Sequence, residues 1–185
     1  MKALLTALLI GLIVSPLAAD DKTHPKTILV IRHAEKPDAG PDLNEKGKKR
    51  ADAILKLFDK SRPDPFPTPD FIFASADSGK SDRPAETIAP LAAALKLTPD
   101  EEFKNKTPKK LAEELNKQKY DGKTVLICWH HGEIPDLLHE LGIDAQLKKI
   151  DKNVFDRVWV VTYDEKGKAK MTVKPQVLLP DDPKE

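Results

Sequence analysis

The residues best equipped for chemistry sit in three short stretches. The first is "ILVIRHAEKP", Ile28 to Pro37, in which four apolar residues lead straight into Arg32 and His33. The second, "DRPAETIAPLA" from Asp82 to Ala92, carries Arg83. The third, "VLICWHHGEIPDLL" from Val125 to Leu138, carries His130 and His131. A guanidinium stays charged at any ordinary pH and forks onto two oxygens of a phosphate. Two arginines and a helix N-terminus together can hold three anionic oxygens. A neutral imidazole keeps one free lone pair and can attack phosphorus as a covalent nucleophile. A second imidazole, once protonated, stabilises the charge on the group in transfer. Phosphoryl transfer asks for little more than in-line placement, neutralised oxygens and a proton for the leaving oxygen. With arginines neutralising the oxygens, no metal or other cofactor is required.

For these side chains to meet, the flanking elements must end at one edge. Thr27 to Ile31 is mostly apolar and β-branched, as in a strand covered on both faces. Phe71 to Ala74 and Thr124 to Trp129 read as two more short strands. Asn44 can cap a helix with apolar Ala51, Ile54, Leu55 and Phe58. Pro84 can open a helix presenting Ala85, Ile88, Ala89, Ala92 and Leu95, which Pro90 must kink or restart. Thr107-Pro108 starts another, with Leu111, Ala112 and Leu115 on one face. Ile134, Leu137, Leu138 and Leu141 recur at helical spacing, with Gly142 as the stop. Val158 to Tyr163 and Met171 to Val173 flank a polar turn and read as a hairpin or paired edge. This alternation predicts an α/β fold, a three-layer α/β/α sandwich with a mostly parallel central sheet. Ligands of such sheets bind beyond the carboxyl ends of the strands. Arg32-His33, Arg83 and His130-His131 all fall there.

The 185 residues suit one domain with a real core. With 31 basic against 30 acidic residues, no global field favours nucleic acid or an anionic membrane. Residues 1–19 predict a secretory signal peptide: Lys2, an apolar run from Ala3 to Val14, then small residues to Ala19. The expected mature protein has an N-terminal tail at 20–26, a domain at 27–178 and a C-terminal tail at 179–185. It would be periplasmic or secreted, with no membrane partner after cleavage. Cys128 is the single cysteine, which rules out an internal disulfide and suits a packed strand thiol. "KGKKR" and "TPKK" read as solvated helix faces, and Glu35 and Lys36 as solvated loop charges. Trp129 fits either a pocket wall or the core.

The three stretches, in this order, resemble motifs of the histidine phosphatase superfamily, in its phosphoglycerate-mutase-like branch. "IRHAEKP" is similar to its Arg-His-Gly/Ala motif, "DRPAETIAPLA" to its arginine-bearing segment, and "VLICWHHGEIPDLL" to its strand-histidine-helix segment. The resemblance runs from Thr27 to Leu141, and Val158 to Tyr163 fits a late family strand. It implies a phosphoglycerate-mutase-like fold and a metal-independent phosphatase. His33 would be the phosphorylated nucleophile, Arg32 and Arg83 the phosphate clamp, and a second histidine would complete the pocket. The family register selects His130 for that place, because Ile134 and Pro135 follow it at the family's spacing. His131 then lines the phosphate pocket beside it.

Three departures stand out, the first being Ala34 in place of the family's commoner glycine. The loop from Ser75 to Arg83 is longer than usual in the family and offers Lys80 and Ser81 as extra contacts. The general acid is not marked by any motif, and Glu133, Glu101 and Glu102 are the candidates. The implied function is hydrolysis of a phosphomonoester or related phosphorylated compound, on a small substrate, by an exported enzyme. The alternative is a catalytically weak phosphate-binding protein of the same fold. A metal site of His130, His131 and Glu133 is disfavoured, since adjacent histidines at a strand end do not easily face one ion.

Overall fold

The computed structural model describes residues 23–76 and 78–184, so the predicted signal peptide lies outside the described residues. The elements are β1 (Thr27–Arg32), α1 (Glu45–Ala53), β2 (Phe71–Ala74), α2 (Arg83–Leu95), α3 (Pro108–Leu115), β3 (Thr124–Trp129), α4 (Ile134–Glu140), β4 (Arg157–Tyr163) and β5 (Ala169–Pro175). The strands form one sheet in the order β2-β3-β1-β4-β5. β1 pairs in parallel with β3, and β3 with β2. β4 runs antiparallel to β1, and β5 antiparallel to β4, so only β4 opposes the common direction. The expected α/β sandwich with a mostly parallel sheet is what forms.

All six residues of β1 are buried, as are all six of β3. Their side chains alternate between two cores, as strand geometry requires. Ile28, Val30, Val125, Ile127 and Trp129 pack with Leu111 and Leu115 of α3 and Leu137 of α4. Leu29, Ile31, Leu126 and Cys128 pack with Ile54, Leu57, Ile88 and Leu91 on the α1–α2 side. Trp129 therefore belongs to the core. Full burial raises the Cys128 thiol pKa and keeps it unreactive.

Four local expectations are corrected. The helix capped by Asn44, whose Oδ1 accepts from Gly47 N at 2.8 Å, stops at Ala53 and tightens into a 3-10 segment, Ile54–Phe58. Three residues per turn stack Leu57 beneath Ile54 and leave Leu55 at 43% exposure. In α2 the helix runs continuously through Pro90, and the buried stripe is Pro84, Thr87, Ile88, Leu91 and Ala92, with Ala89 outside. Within "KGKKR", Arg50 is buried, and so is Glu35, its bidentate partner. Further along, Asp182 is buried against Arg50. No helix among the described residues is long and apolar enough to cross a membrane.

Candidate active site

The site lies where β1, β3 and β2 end. In the β1–β3 ladder Arg32 pairs with Trp129, and His33 N donates to the Trp129 carbonyl at 3.0 Å. His33 and His130 are thus held side by side by backbone pairing. Their ring centroids stand 5.1 Å apart, edge to face. His33 is 2% exposed, and its Nδ1 lies 2.8 Å from the Ala34 carbonyl. A carbonyl only accepts, so Nδ1 carries the proton and Nε2 keeps the lone pair. Thr87 joins this loop to α2: its hydroxyl accepts from Ala34 N at 2.8 Å and donates to the Arg83 carbonyl at 2.7 Å.

Arg32 is buried with its guanidinium carbon over Phe155, 3.7 Å from the ring centroid. Its Nη1 donates to the carbonyls of Lys152 and Val154, at 2.8 and 2.7 Å. Its Nε and Nη2 are buried without a partner. Arg83 is tethered through Nη1 to the Gly40 carbonyl at 3.1 Å, while its Nε is likewise buried and unpaired. Ser75 Oγ and Ser81 Oγ, in the loop after β2, are also buried and unpaired. Buried donors without acceptors are costly. An anion that accepts from several of them removes that cost.

The electrostatics fit that reading. Burial, reinforced by the nearby arginines, lowers the His33 pKa to about 3, so the imidazole is neutral and nucleophilic at ordinary pH. Burial and Arg83 lower His130 to about 4. Burial lowers Arg32 to about 10, and also lowers Arg83. His130 is therefore neutral while the site is empty. An anion entering beside Arg83 would push the His130 pKa back up from there.

The structure brings Arg32, His33, Arg83 and His130 together. His131 is half-buried to one side, its pKa lowered by burial and then by Arg32. Glu133 stands just before α4, close enough to His130 to raise that group's pKa, and pairs with Lys106. Glu101 and Glu102 are exposed, although Asp100 bridges to Phe73 and brings their segment alongside β2. Lys80 is exposed and Ser81 is not. Among the described residues, the carboxylate or imidazole trio that converges within 4.8 Å is Asp42, Asp82 and Glu86, not His130, His131 and Glu133. Phe155 and the carbonyls around Val154 carry no sequence signal, because a loop presents them. Thr87 had one: it lies one helical turn after Arg83 on the buried stripe.

No protein-family model matches the chain, and no curated protein matches it. Solved structures do. The protein histidine phosphatase SixA complexed with tungstate is 14% identical, covering 81% of this chain and 97% of its own, with a TM-score of 0.56. The alpha-ribazole phosphatase from Shigella flexneri is 13% identical over 80% of this chain and 95% of its own, with a TM-score of 0.57. The phosphoglycerate mutase from Bacillus anthracis str. Sterne is 13% identical over 82% and 93%, with a TM-score of 0.58. This is the histidine-phosphatase fold. It is matched over nearly the whole of each of those chains. Within the histidine-phosphatase fold the ends of β1 and β3 are the switch point of a parallel sheet, where ligands of open α/β folds bind.

Proposed function

We propose that this chain is a metal-independent phosphatase of the histidine phosphatase superfamily, acting on a phosphomonoester or related phosphorylated compound through a phosphohistidine at His33. The observation that carries it is the neutral His33, its Nδ1 proton fixed on Ala34 and its Nε2 free, set between two arginines with unpaired buried N–H groups. In the first step Nε2 attacks phosphorus and the bond to the leaving oxygen breaks, its electron pair staying on that oxygen. The oxygen then takes a proton, for which we assign Glu133, beside His130, as the donor. In the second step water attacks phosphorus and gives a proton to the Glu133 carboxylate, the P–N bond breaks, and its pair returns to Nε2. Inorganic phosphate leaves. Arg32, Arg83 and protonated His130 hold the equatorial oxygens throughout. His131 lines the rim. The leader-like residues 1–19 support export to the periplasm or beyond.

The test is hydrolysis of p-nitrophenyl phosphate in excess EDTA, beside His33→Ala. Turnover that survives EDTA and vanishes in the variant is expected. Loss of turnover in EDTA would sink the phosphohistidine route. A second reading, phosphate binding with weak turnover, is favoured by the engagement of Glu133 with Lys106. Measurable phosphate affinity without hydrolysis would select it.

A further inference from the structure

Arg50 lies outside the site, yet all five of its N–H donors are used. Nε and Nη2 donate to the two carboxylate oxygens of Glu35, at 2.9 and 2.7 Å. Nη1 and Nη2 donate to the two oxygens of Asp182, at 2.8 and 2.7 Å. Nη1 also reaches Gln176 Oε1 at 3.1 Å. Arg50 is 2% exposed, Gln176 is 0% and Glu35 is 7%. Such a group is expensive to bury unless every charge is matched, and here one cation meets two carboxylates. Apolar residues of similar volume would fill this space at no such cost. The pairing is therefore best explained by what it orients.

Glu35 follows Ala34, whose carbonyl takes the Nδ1 proton of His33. The peptide between Ala34 and Glu35 is planar, so fixing Glu35 fixes that carbonyl. Glu35 is gripped from both sides. Arg50 holds its carboxylate, and its own carbonyl accepts from Asn44 N at 3.0 Å. The far side of Arg50 is held by the C-terminal segment. Asp182 also accepts from Leu178 N at 2.8 Å and Leu179 N at 3.1 Å, which closes that segment into a compact turn. Gln176 N donates to the Asp156 carbonyl at 2.7 Å, next to Phe155, on which Arg32 rests.

We infer that Arg50 is a positioning residue for His33, acting through Glu35 and the Ala34 carbonyl, and that the segment from Gln176 to Asp182 is the strap that holds Arg50 in place. The catalytic half of this inference rests on the proposed phosphatase reaction. Its structural half does not, and the two are tested separately.

The variants are Arg50→Met/Glu35→Gln/Asp182→Asn, which leaves no unpaired charge in the interior, and the single Asp182→Asn. The first readout is the imidazole 15N spectrum of His33, which distinguishes Nδ1–H from Nε2–H without any substrate. The wild type is expected to show Nδ1–H alone, and the triple variant a mixture of both tautomers. Steady-state kinetics on p-nitrophenyl phosphate form the second readout. A fall in kcat of about ten- to a hundredfold is expected, the range that small misplacements of reacting groups produce. KM should stay within about twofold, because the arginines still bind phosphate. Asp182→Asn should move both readouts the same way by less, and it carries the test alone if the triple variant does not fold. A folded variant with an unchanged tautomer and kcat would overturn the inference. So would a loss of activity that tracks a lower Tm with the tautomer unchanged. If the wild type hydrolyses nothing, the phosphatase reading fails, and the 15N spectra still decide whether Arg50 orients His33.

Discussion

Thr87 spends one oxygen on two elements: it accepts from the Ala34 amide and donates to the Arg83 carbonyl. It is 0% exposed, so nothing else can replace either bond. Thr87→Val keeps the shape and leaves the Ala34 N–H buried without an acceptor. The expected result is a loss of about 1–3 kcal/mol in urea unfolding, with kcat/KM for p-nitrophenyl phosphate reduced by up to about a hundredfold. Thr87→Ser should recover most of both. At this scale the sequence was informative where a side chain is fixed by a strand end. Arg32 and His33 leave β1, His130 leaves β3, and Arg83 opens α2, so each position followed from the periodicity of the element before it. The partners of those side chains were not legible. Phe155 and the carbonyls of Lys152 and Val154 lie in the connection before β4, where no period constrains direction. Glu35 was misread as solvated because its partner stands fifteen residues away, in a lysine-rich stretch that reads as a solvated helix face.

Helix α1 does two tasks at the element scale. One face completes the core, and its start presses against the loop that follows β1. Gly47 makes that approach possible, since a Cβ there would stand 2.2 Å from the Glu35 carbonyl oxygen and 3.0 Å from two other Glu35 backbone atoms. In an unhindered helix, alanine for glycine stabilises by about 1 kcal/mol. Here the neighbour is backbone, so the sign reverses. Gly47→Ala should destabilise by about 1–3 kcal/mol, read as a lower Tm. A raised Tm would show that the loop yields freely and is not braced by α1. The element pattern itself was legible: every strand and helix that borders the site was expected within a residue or two. The 3-10 continuation after Ala53 was not, because Ile54, Leu55 and Phe58 fit a 3.6 period, and only packing beneath Leu57 selects the tighter one.

The whole molecule carries a pH dependence set by its buried imidazoles. Burial holds His33 at about 3 and His130 at about 4, against 6.5 for an ordinary histidine. Between those values the unfolded chain binds more protons than the folded one, so stability rises with pH. It is highest above about pH 6.5 and falls with pH until the folded values, about 4 for His130 and about 3 for His33, are passed. Asp182 adds a further loss lower down, because hydrogen bonds from Arg50 and from backbone amides depress its pKa to about 2. Urea midpoints taken from neutral pH to about pH 4 should therefore fall, and His33→Gln/His130→Gln should flatten that slope. An equal slope in the double variant would place the acid sensitivity elsewhere. Fold class and strand direction were readable because burial on both faces leaves an unmistakable apolar run. The strap from Gln176 to Asp182 was not, since a polar segment shows no period and its value lies in one distant guanidinium.

The position of β1 in the sheet has a kinetic consequence. Its two edges are filled by β3 and β4, each roughly a hundred residues or more further along the chain. Local contacts alone can nucleate neither pairing, and both loop closures must be made before either is rewarded. "TILVIR" therefore emerges early and waits, an apolar segment with both edges open to any stray strand. His33 acquires its neighbour His130 only when β3 docks, and Arg32 its loop cradle only when the connection into β4 arrives. A half-folded chain thus holds no half-built pocket: phosphate binding should appear in a single kinetic phase, together with the last closure of the sheet, and so serves as a direct reporter of complete folding.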